Sequence, residues 1–349
     1  MTRRLAIWLF LVVLLVALVV IAAAGSSGAS SISTPLKRNG VSYTGTVVQD
    51  GSSGTRVAMV PIFNALVDGD SPANGSATGG DDVVRMLEAI TEDSDAWDGV
   101  ILELDTPGGS VMASEEIVDA IERLKEKKIP ILAWMRGTAA SAGYYVSAPT
   151  DRIVASSNTF TGSIGVILEY YVVDELADKV GVGSVTIKSG KLKDIGNPFR
   201  QPTTEERDLF QTIIDQSYGQ FVGVVAEGRD MSESTVRELA DGRIYTGEQA
   251  KENGLVDVLG LRRTAYDELA KLIDEKDVKG EDLDVVRFTR TYGLLAALSA
   301  EASPALASMA AAGDVAGAVR GDQGAIGRLA GTQRLGGGVA SLQYRMELG

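Results

Sequence analysis

In the segment Gly137-Thr138-Ala139-Ala140-Ser141-Ala142-Gly143-Tyr144-Tyr145, the hydroxyl of Ser141 is flanked by Ala140, Ala142 and Gly143, residues too small to shield it. It follows an apolar, strand-like run and opens a helix-like one. Small neighbours let a substrate backbone approach Ser141, and a helix N-terminus there favours developing negative charge. This is the logic of a nucleophile elbow, without its G-x-S-x-G spacing. The plainer reading makes Ser141 a helix N-cap in a tight turn. A second strand-to-helix junction, Asp105-Thr106-Pro107-Gly108-Gly109-Ser110, carries paired glycines that permit positive φ and expose backbone N–H groups. Such a loop can form an oxyanion hole, worth about 3–4 kcal/mol per donor. It can equally be an ordinary glycine turn.

A serine nucleophile needs a base, and the 349 residues contain no histidine and no cysteine. That excludes a Ser-His-Asp triad, a thiol nucleophile, disulfides and zinc sites built on His or Cys. Lysine is the practical candidate. A lysine base must have its pKa brought from about 10.4 towards 7–8 by apolar surroundings, at a cost of about 3–5 kcal/mol. Lys188, Lys191 and Lys193 cluster in Ile187-Lys188-Ser189-Gly190-Lys191-Leu192-Lys193-Asp194. Composition does not choose among them, and a basic surface loop has the same look. Asp194 is an awkward neighbour, because a close carboxylate favours the ammonium form. If Lys193 is the base, Asp194 must point elsewhere.

Alternating strand and helix patterns must position these residues, which implies an α/β architecture. Strands are expected at 57–63, 99–104 and 129–135, near Ile153 and Ile164, and at 283–288. Residues 183–188 read as extended. Helices are expected at 82–90, 111–128, 140–148, 172–180, 234–240 and 262–273. The clearest helix is 203–229, where Phe210, Ile213, Ile214, Ser217, Phe221, Val224 and Val225 form one stripe at 3.6 spacing. The acidic, Gly-rich stretch 68–82 lacks EF-hand spacing and reads as a solvated loop.

Composition sets the boundaries. Residues 5–24 are an unbroken apolar run, about 30 Å long as a helix, which suits one hydrocarbon core. Arg3 and Arg4 precede it, placing the N-terminus in the cytoplasm and the rest of the chain outside. A cleaved signal peptide ending near Ala22-Ala23-Ala24 is the rival reading, but its apolar region would normally be shorter. Residues 25–56 read as a Gly/Ser/Thr-rich tether with a strand near Val47, 57–290 as one folded domain, and 291–349 as an Ala/Gly-rich tail. Net charge is −14, from 47 acidic and 33 basic side chains, which argues against a nucleic-acid partner. The preference for Arg over Lys, with abundant acid, fits a high-salt setting as well as an ordinary acidic protein.

Taken in order, these pieces resemble the signal peptide peptidase A family of membrane-anchored Ser-Lys proteases, half-length type. The resemblance covers roughly 57–272. It rests on the Asp105–Gly109 loop, Ala140-Ser141-Ala142-Gly143-Tyr144-Tyr145, Thr161-Gly162-Ser163-Ile164-Gly165, Lys188-Ser189-Gly190 through Lys193-Asp194, and Gly242-Arg243-Ile244-Tyr245-Thr246-Gly247 with Gly254-Leu255-Val256-Asp257. It implies a ClpP/crotonase-type fold of ββα units behind one transmembrane helix. It implies Ser141 as nucleophile and Lys193, 52 residues downstream, as general base. Gly108 and Gly109 become the oxyanion loop, Ser163 a hydroxyl beside the dyad, and Tyr144 a supporting residue. No metal or organic cofactor is required. Implied partners are hydrophobic peptides such as cleaved signal peptides, the bilayer through 5–24, and further copies in a ring whose dyads are completed between neighbours. A protease acting on one membrane partner, or a non-proteolytic acyl-CoA binder or scaffold, are the alternatives. The tail has no family counterpart, and its small-residue and Leu-rich stretch is expected to occupy the substrate groove of its own or a neighbouring subunit.

Overall fold

The computed structural model describes residues 35–273, 278–292 and 342–345. Residues 5–24 lie outside these, and no helix among the described residues is long and apolar enough to cross a membrane. The strands are β1 (Leu36–Arg38), β2 (Val41–Gln49), β3 (Arg56–Phe63), β4 (Ala65–Val67), β5 (Ala77–Gly79), β6 (Gly99–Thr106), β7 (Gly108–Ser110), β8 (Ile131–Ala140), β9 (Arg152–Ala155), β10 (Phe160–Gly162), β11 (Ile167–Leu168), β12 (Ile244–Thr246), β13 (Val258–Leu259), β14 (Asp284–Arg290) and β15 (Leu342–Arg345). The helices are α1 (Gly80–Glu92), α2 (Val111–Glu126), α3 (Ala142–Ser147), α4 (Asp174–Lys179), α5 (Thr204–Gly228), α6 (Glu233–Leu239), α7 (Gly247–Glu252) and α8 (Arg262–Ile273).

The main sheet runs β1-β2-β14-β3-β6-β8-β10-β12, with β9 beside β8 and β13 beside β9. Its centre, β14-β3-β6-β8, is parallel. These strands are apolar on both faces because both faces are covered. Ala58, Val60, Val100, Leu102 and Leu104 share a core with Val83, Leu87 and Ile90 of α1 and Ile117, Ile121 and Leu124 of α2. Val57, Met59, Ile101, Leu132 and Trp134 face the other way, onto Ala265, Tyr266 and Leu269 of α8. Period-2 alternation therefore exists, but both phases are hydrophobic.

β8 forks. Its first half pairs with β9 through Leu132↔Arg152 to Met135↔Ala155, and its end pairs with β10 through Thr138↔Phe160 to Ala140↔Gly162. The fork opens the sheet at the carboxyl end of β8, where strand gives way to α3.

The segment expected to be a tether carries β1 and β2, and β2 lies antiparallel on β14. Tyr43 explains the difference. Its ring is fully buried and its hydroxyl donates to Asp82 at 2.8 Å. The loop expected to be solvated is organised by the same network. Asp82, almost wholly buried, accepts from Arg85 at 2.9 Å, from Arg290 at 3.1 Å and from the Ser71 amide at 2.9 Å, and Asp70 pairs with both arginines. Burial alone would raise the Asp82 pKa; Arg85, the Ser71 amide and Tyr43 outweigh it and hold the carboxyl below its usual value. A depressed carboxyl contributes stability that is complete above the unfolded value near 4 and is lost as pH falls through the folded one. Asp82→Ala is expected to cost about 3–5 kcal/mol in urea unfolding at pH 7, because it strands two partly buried guanidinium groups. The deficit relative to wild type should shrink below pH 4. A deficit under 1 kcal/mol would show that the network is not a structural anchor.

Candidate active site

Three loops meet at the carboxyl edge of β6, β8 and β10, the edge where α/β sheets bind ligands. β6 leads into the Gly108-Gly109 strand, β8 into Ser141, and β10 into Ser163. The register Thr106↔Ala139 and Ala139↔Thr161 aligns the three strand ends. Two threonines tie them: Thr161 Oγ1 donates to the Ala139 carbonyl at 2.7 Å, and the Gly108 amide donates to Thr106 Oγ1 at 3.1 Å. Asp105 accepts the Thr138 amide at 3.0 Å, fixing β8 just before the turn.

Ser141 has φ 56° and ψ −118°, a region that a non-glycine residue occupies only when its surroundings force it. Its own amide donates to the Gly162 carbonyl at 2.8 Å, and its carbonyl accepts from Tyr145 at 2.8 Å as α3 begins. The strained turn aims the side chain away from the strand. The hydroxyl is fully buried and has no hydrogen-bond partner among the described residues. A capping hydroxyl would be bonded to the first turn of the helix, and none is. A buried orphan hydroxyl costs about 1–3 kcal/mol, so it is better read as a reactive group than as a structural one.

The glycines are required by space. A Cβ on Gly109 would lie 1.9 Å from the Leu66 carbonyl oxygen, and on Gly143, two residues after the serine, 2.7 Å from Thr106 Cγ2. Gly108, at φ 115°, turns the chain between β6 and β7. Ser163, at φ 49°, follows Gly162, and its amide donates to the Arg243 carbonyl at 2.8 Å. Beside it lies a cavity of about 350 Å³, lined by Val166, Ile167, Ile214, Tyr218 and Gly242, with Asp215 and Asp241. Tyr144 is fully buried, and its hydroxyl donates to the Leu255 carbonyl at 2.9 Å. Burial raises its pKa. Tyr144 therefore anchors α3 to the 254–257 segment and does not present its hydroxyl to a substrate.

Among the described residues, no hydrogen bond joins the lysine segment to Ser141. Lys188 is paired with Asp194 and Lys191 with Glu205. Lys193 is exposed and makes no ion pair among the described residues. Arg200 controls Asp194: it donates from Nε to Asp194 at 3.0 Å while Nη1 reaches Glu206 at 2.8 Å. Arg200 and Lys188 hold the Asp194 carboxyl well below its usual range, and Arg200 brings Glu206 down to about 2. Among the described residues Asp194 thus pairs with Lys188 and Arg200, not with Lys193. Residues 183–188, expected to be extended, form no strand, and Val185 and Ile187 are 89% and 96% exposed. Tyr171, Leu176, Val180 and Val182 are also open to solvent.

Sequence reasoning did not single out Thr106 and Thr161, whose hydroxyls align the strand ends, or Arg200. Their signal is a strand-terminal hydroxyl and an arginine six residues from each of two carboxylates, patterns too common to stand out. It also did not assign β15. That strand completes a second sheet of order β11-β15-β7-β4-β5, lying antiparallel to both β7 and β11.

The strand-to-helix turn thus holds a strained serine whose hydroxyl has no partner among the described residues, next to a glycine strand. The sequence profile of peptidase family S49 matches residues 123–276. The chain is 40% identical over 230 residues to the putative signal peptide peptidase SppA of Enterococcus faecium, covering 65% of this chain and 67% of that one. It is 39% identical over 214 residues to a putative protease of Synechocystis sp., covering 61% and 73%. It is 33% identical over 237 residues to Protease 4 of Haemophilus influenzae, covering 67% and 38%. Among solved structures, a ClpP1 mutant from Listeria monocytogenes aligns at TM-score 0.39 and 18% identity, covering 59% of this chain and 93% of that one. The chain belongs to the signal peptide peptidase A family, within peptidase family S49, and is a serine protease.

Proposed function

We propose that this protein is a membrane-anchored endopeptidase with a ClpP/crotonase-type fold that uses a Ser141–Lys193 dyad on hydrophobic peptides, such as cleaved signal peptides. One observation carries the reading. The Ser141 hydroxyl has no partner among the described residues, and Lys193, alone among the three clustered lysines, makes no side-chain hydrogen bond or ion pair among them. Leu176, Val180, Val182, Val185 and Ile187, around the lysine segment, are all exposed, and exposed apolar groupings mark interaction surfaces. We therefore place the dyad between subunits of a ring, Lys193 of one copy reaching Ser141 of the next, with Ser163 holding the amine.

In this reading Ser141 Oγ attacks the peptide carbonyl and the Lys193 amine takes its proton. Gly108 and Gly109 form the oxyanion loop; because the Gly108 amide is engaged by Thr106, we assign the donor to Gly109. Lys193 then protonates the leaving amine, and water releases the acyl group. The cavity beside Ser163, walled by Val166, Ile167, Ile214 and Tyr218, suits an apolar substrate side chain. Residues 5–24 would anchor the chain, N-terminus cytoplasmic, with the catalytic domain outside.

The test is labelling of the full chain, in detergent, by a fluorophosphonate probe, beside hydrolysis of a quenched apolar peptide. Labelling and hydrolysis are expected in wild type and lost in both Ser141→Ala and Lys193→Ala. No labelling of a folded oligomer at any pH or salt, together with acyl-CoA binding, would replace this reading with a non-proteolytic one.

A further inference from the structure

Lys193 is exposed and lies in a turn, residues 191–196, outside any helix or strand. Its neighbours are tied to one place. Lys191 pairs with Glu205, and Arg200 joins Asp194 to Glu206. Glu205 and Glu206 are consecutive residues in the first turn of α5. The turn that carries Lys193 is therefore fastened to one helix end.

Arg200 makes the fastening that lies closest to Lys193. Its Nε donates to the Asp194 carboxylate at 3.0 Å and its Nη2 to the Asp194 carbonyl at 3.1 Å. Its Nη1 donates to Glu206 at 2.8 Å and to the Gln201 carbonyl at 3.2 Å. Asp194 is thus held through side chain and backbone, one residue from Lys193. Glu206, 1% exposed, also accepts the Thr203 amide at 2.8 Å. The capping box of α5 needs only Thr203 and Glu206. An arginine reaching from there back to residue 194 is more than the helix requires. Only a planar fork with several donors can serve these acceptors together, which a lysine ammonium cannot reproduce.

The far part of α5 is seated on the nucleophile's helix. Phe221, Val222 and Val225 are fully buried in the core, and Phe221 meets Tyr145 of α3 edge-on at 5.1 Å. The Tyr145 amide in turn donates to the Ser141 carbonyl at 2.8 Å. Phe221 lies about 22 Å along α5 from Glu206, at a rise of about 1.5 Å per residue. α5 is a strut with the serine's helix at one end and the Lys193 turn at the other.

We propose that Arg200 is the positioning residue of the general base: it locks the Lys193 turn onto the first turn of α5, so that Lys193 is presented to a neighbouring copy's Ser141 at a fixed place. The proposal rests on the Ser141–Lys193 reading.

The test uses Arg200→Ala and Arg200→Lys in the full chain, in detergent, with hydrolysis of a quenched apolar peptide. Arg200→Ala is expected to lower kcat on the order of 10²-fold at unchanged KM, the loss that a displacement of about 1 Å produces. Arg200→Lys, with the charge but not the fork, should fall between it and wild type. Subunit mixing separates positioning from general damage. Arg200→Ala still supplies an intact serine, so co-assembly with Ser141→Ala should recover about a quarter of wild-type activity. Co-assembly with Lys193→Ala should recover none, since neither copy then supplies a placed base. If Arg200→Ala does not assemble, Arg200→Lys carries the same mixing. Recovery with Lys193→Ala would put Arg200 on the serine's side and overturn the proposal. So would no recovery with either partner while Ser141→Ala and Lys193→Ala restore each other. If those two do not restore each other, the dyad lies within one chain, and a raised KM or an Arg200→Lys no better than Arg200→Ala overturns the proposal. Full activity in Arg200→Ala overturns it and leaves the dyad standing; full activity in Lys193→Ala removes the dyad and the proposal with it.

Discussion

Ser141→Ala is expected to lower kcat/KM for peptide hydrolysis by on the order of 10⁶ while leaving the fold intact. The magnitude follows from the nucleophile's role: without Oγ there is no acyl-enzyme, and the oxyanion loop can only assist water. Stability should not fall with activity. The hydroxyl is buried and has no partner among the described residues, so deleting it removes an unsatisfied group worth about 1 kcal/mol or more. The positive φ is as unfavourable for alanine as for serine, so that cost is unchanged. Thermal unfolding of the variant should therefore match or exceed that of wild type. This is the signature of a residue kept for chemistry at the expense of stability. A variant both inactive and several kcal/mol less stable would instead make Ser141 a structural element of the turn.

Mixing inactive subunits should restore activity. Ser141→Ala and Lys193→Ala are each expected to be inactive alone. If the dyad spans neighbouring copies, co-assembly at equal ratio pairs an intact serine with an intact lysine at about one quarter of the interfaces. Recovery of about a quarter of wild-type activity, from two variants with none, is a large effect on a null background. Its structural basis is that Ser141 lacks a base within the described residues, while Lys193 sits in a segment whose apolar side chains face solvent. No recovery, with mixed oligomers shown to form, would place both members of the dyad in one chain. Full activity in Lys193→Ala alone would remove the lysine from the mechanism. Arg200 bears on the same step, because by holding Asp194 against Glu206 it keeps a carboxylate off the proposed base.

Much of the framework was legible in the sequence because local chemistry decided it. The expected strand at 57–63 and helix at 262–273 agree with β3 and α8, since a dense apolar run and an amphipathic stripe each have one stable solution. The helix expected at 203–229 is α5, started by a capping box in which Thr203 and Glu206 bond each other's backbone. Its stripe is less buried than periodicity suggests: Ile213 is exposed, because α5 extends past the body that covers Phe221 and Val225. The tether boundary was not legible. One tyrosine, buried against an aspartate 39 residues away, draws β2 into the sheet, and no local pattern announces a distant partner.

The sequence by itself determined the chemistry available. With no histidine or cysteine, it left serine and lysine, and its glycine pairs marked where a backbone had to come close. Only the tertiary structure decided how these residues stand. The fork in β8 fixes the strained φ of Ser141, and the Leu66 carbonyl forbids a side chain at Gly109. Residues 342–345 lie antiparallel to β7. Each depends on a contact between segments remote in sequence, and such contacts are set by the packing of the whole sheet, which no window of neighbouring residues contains.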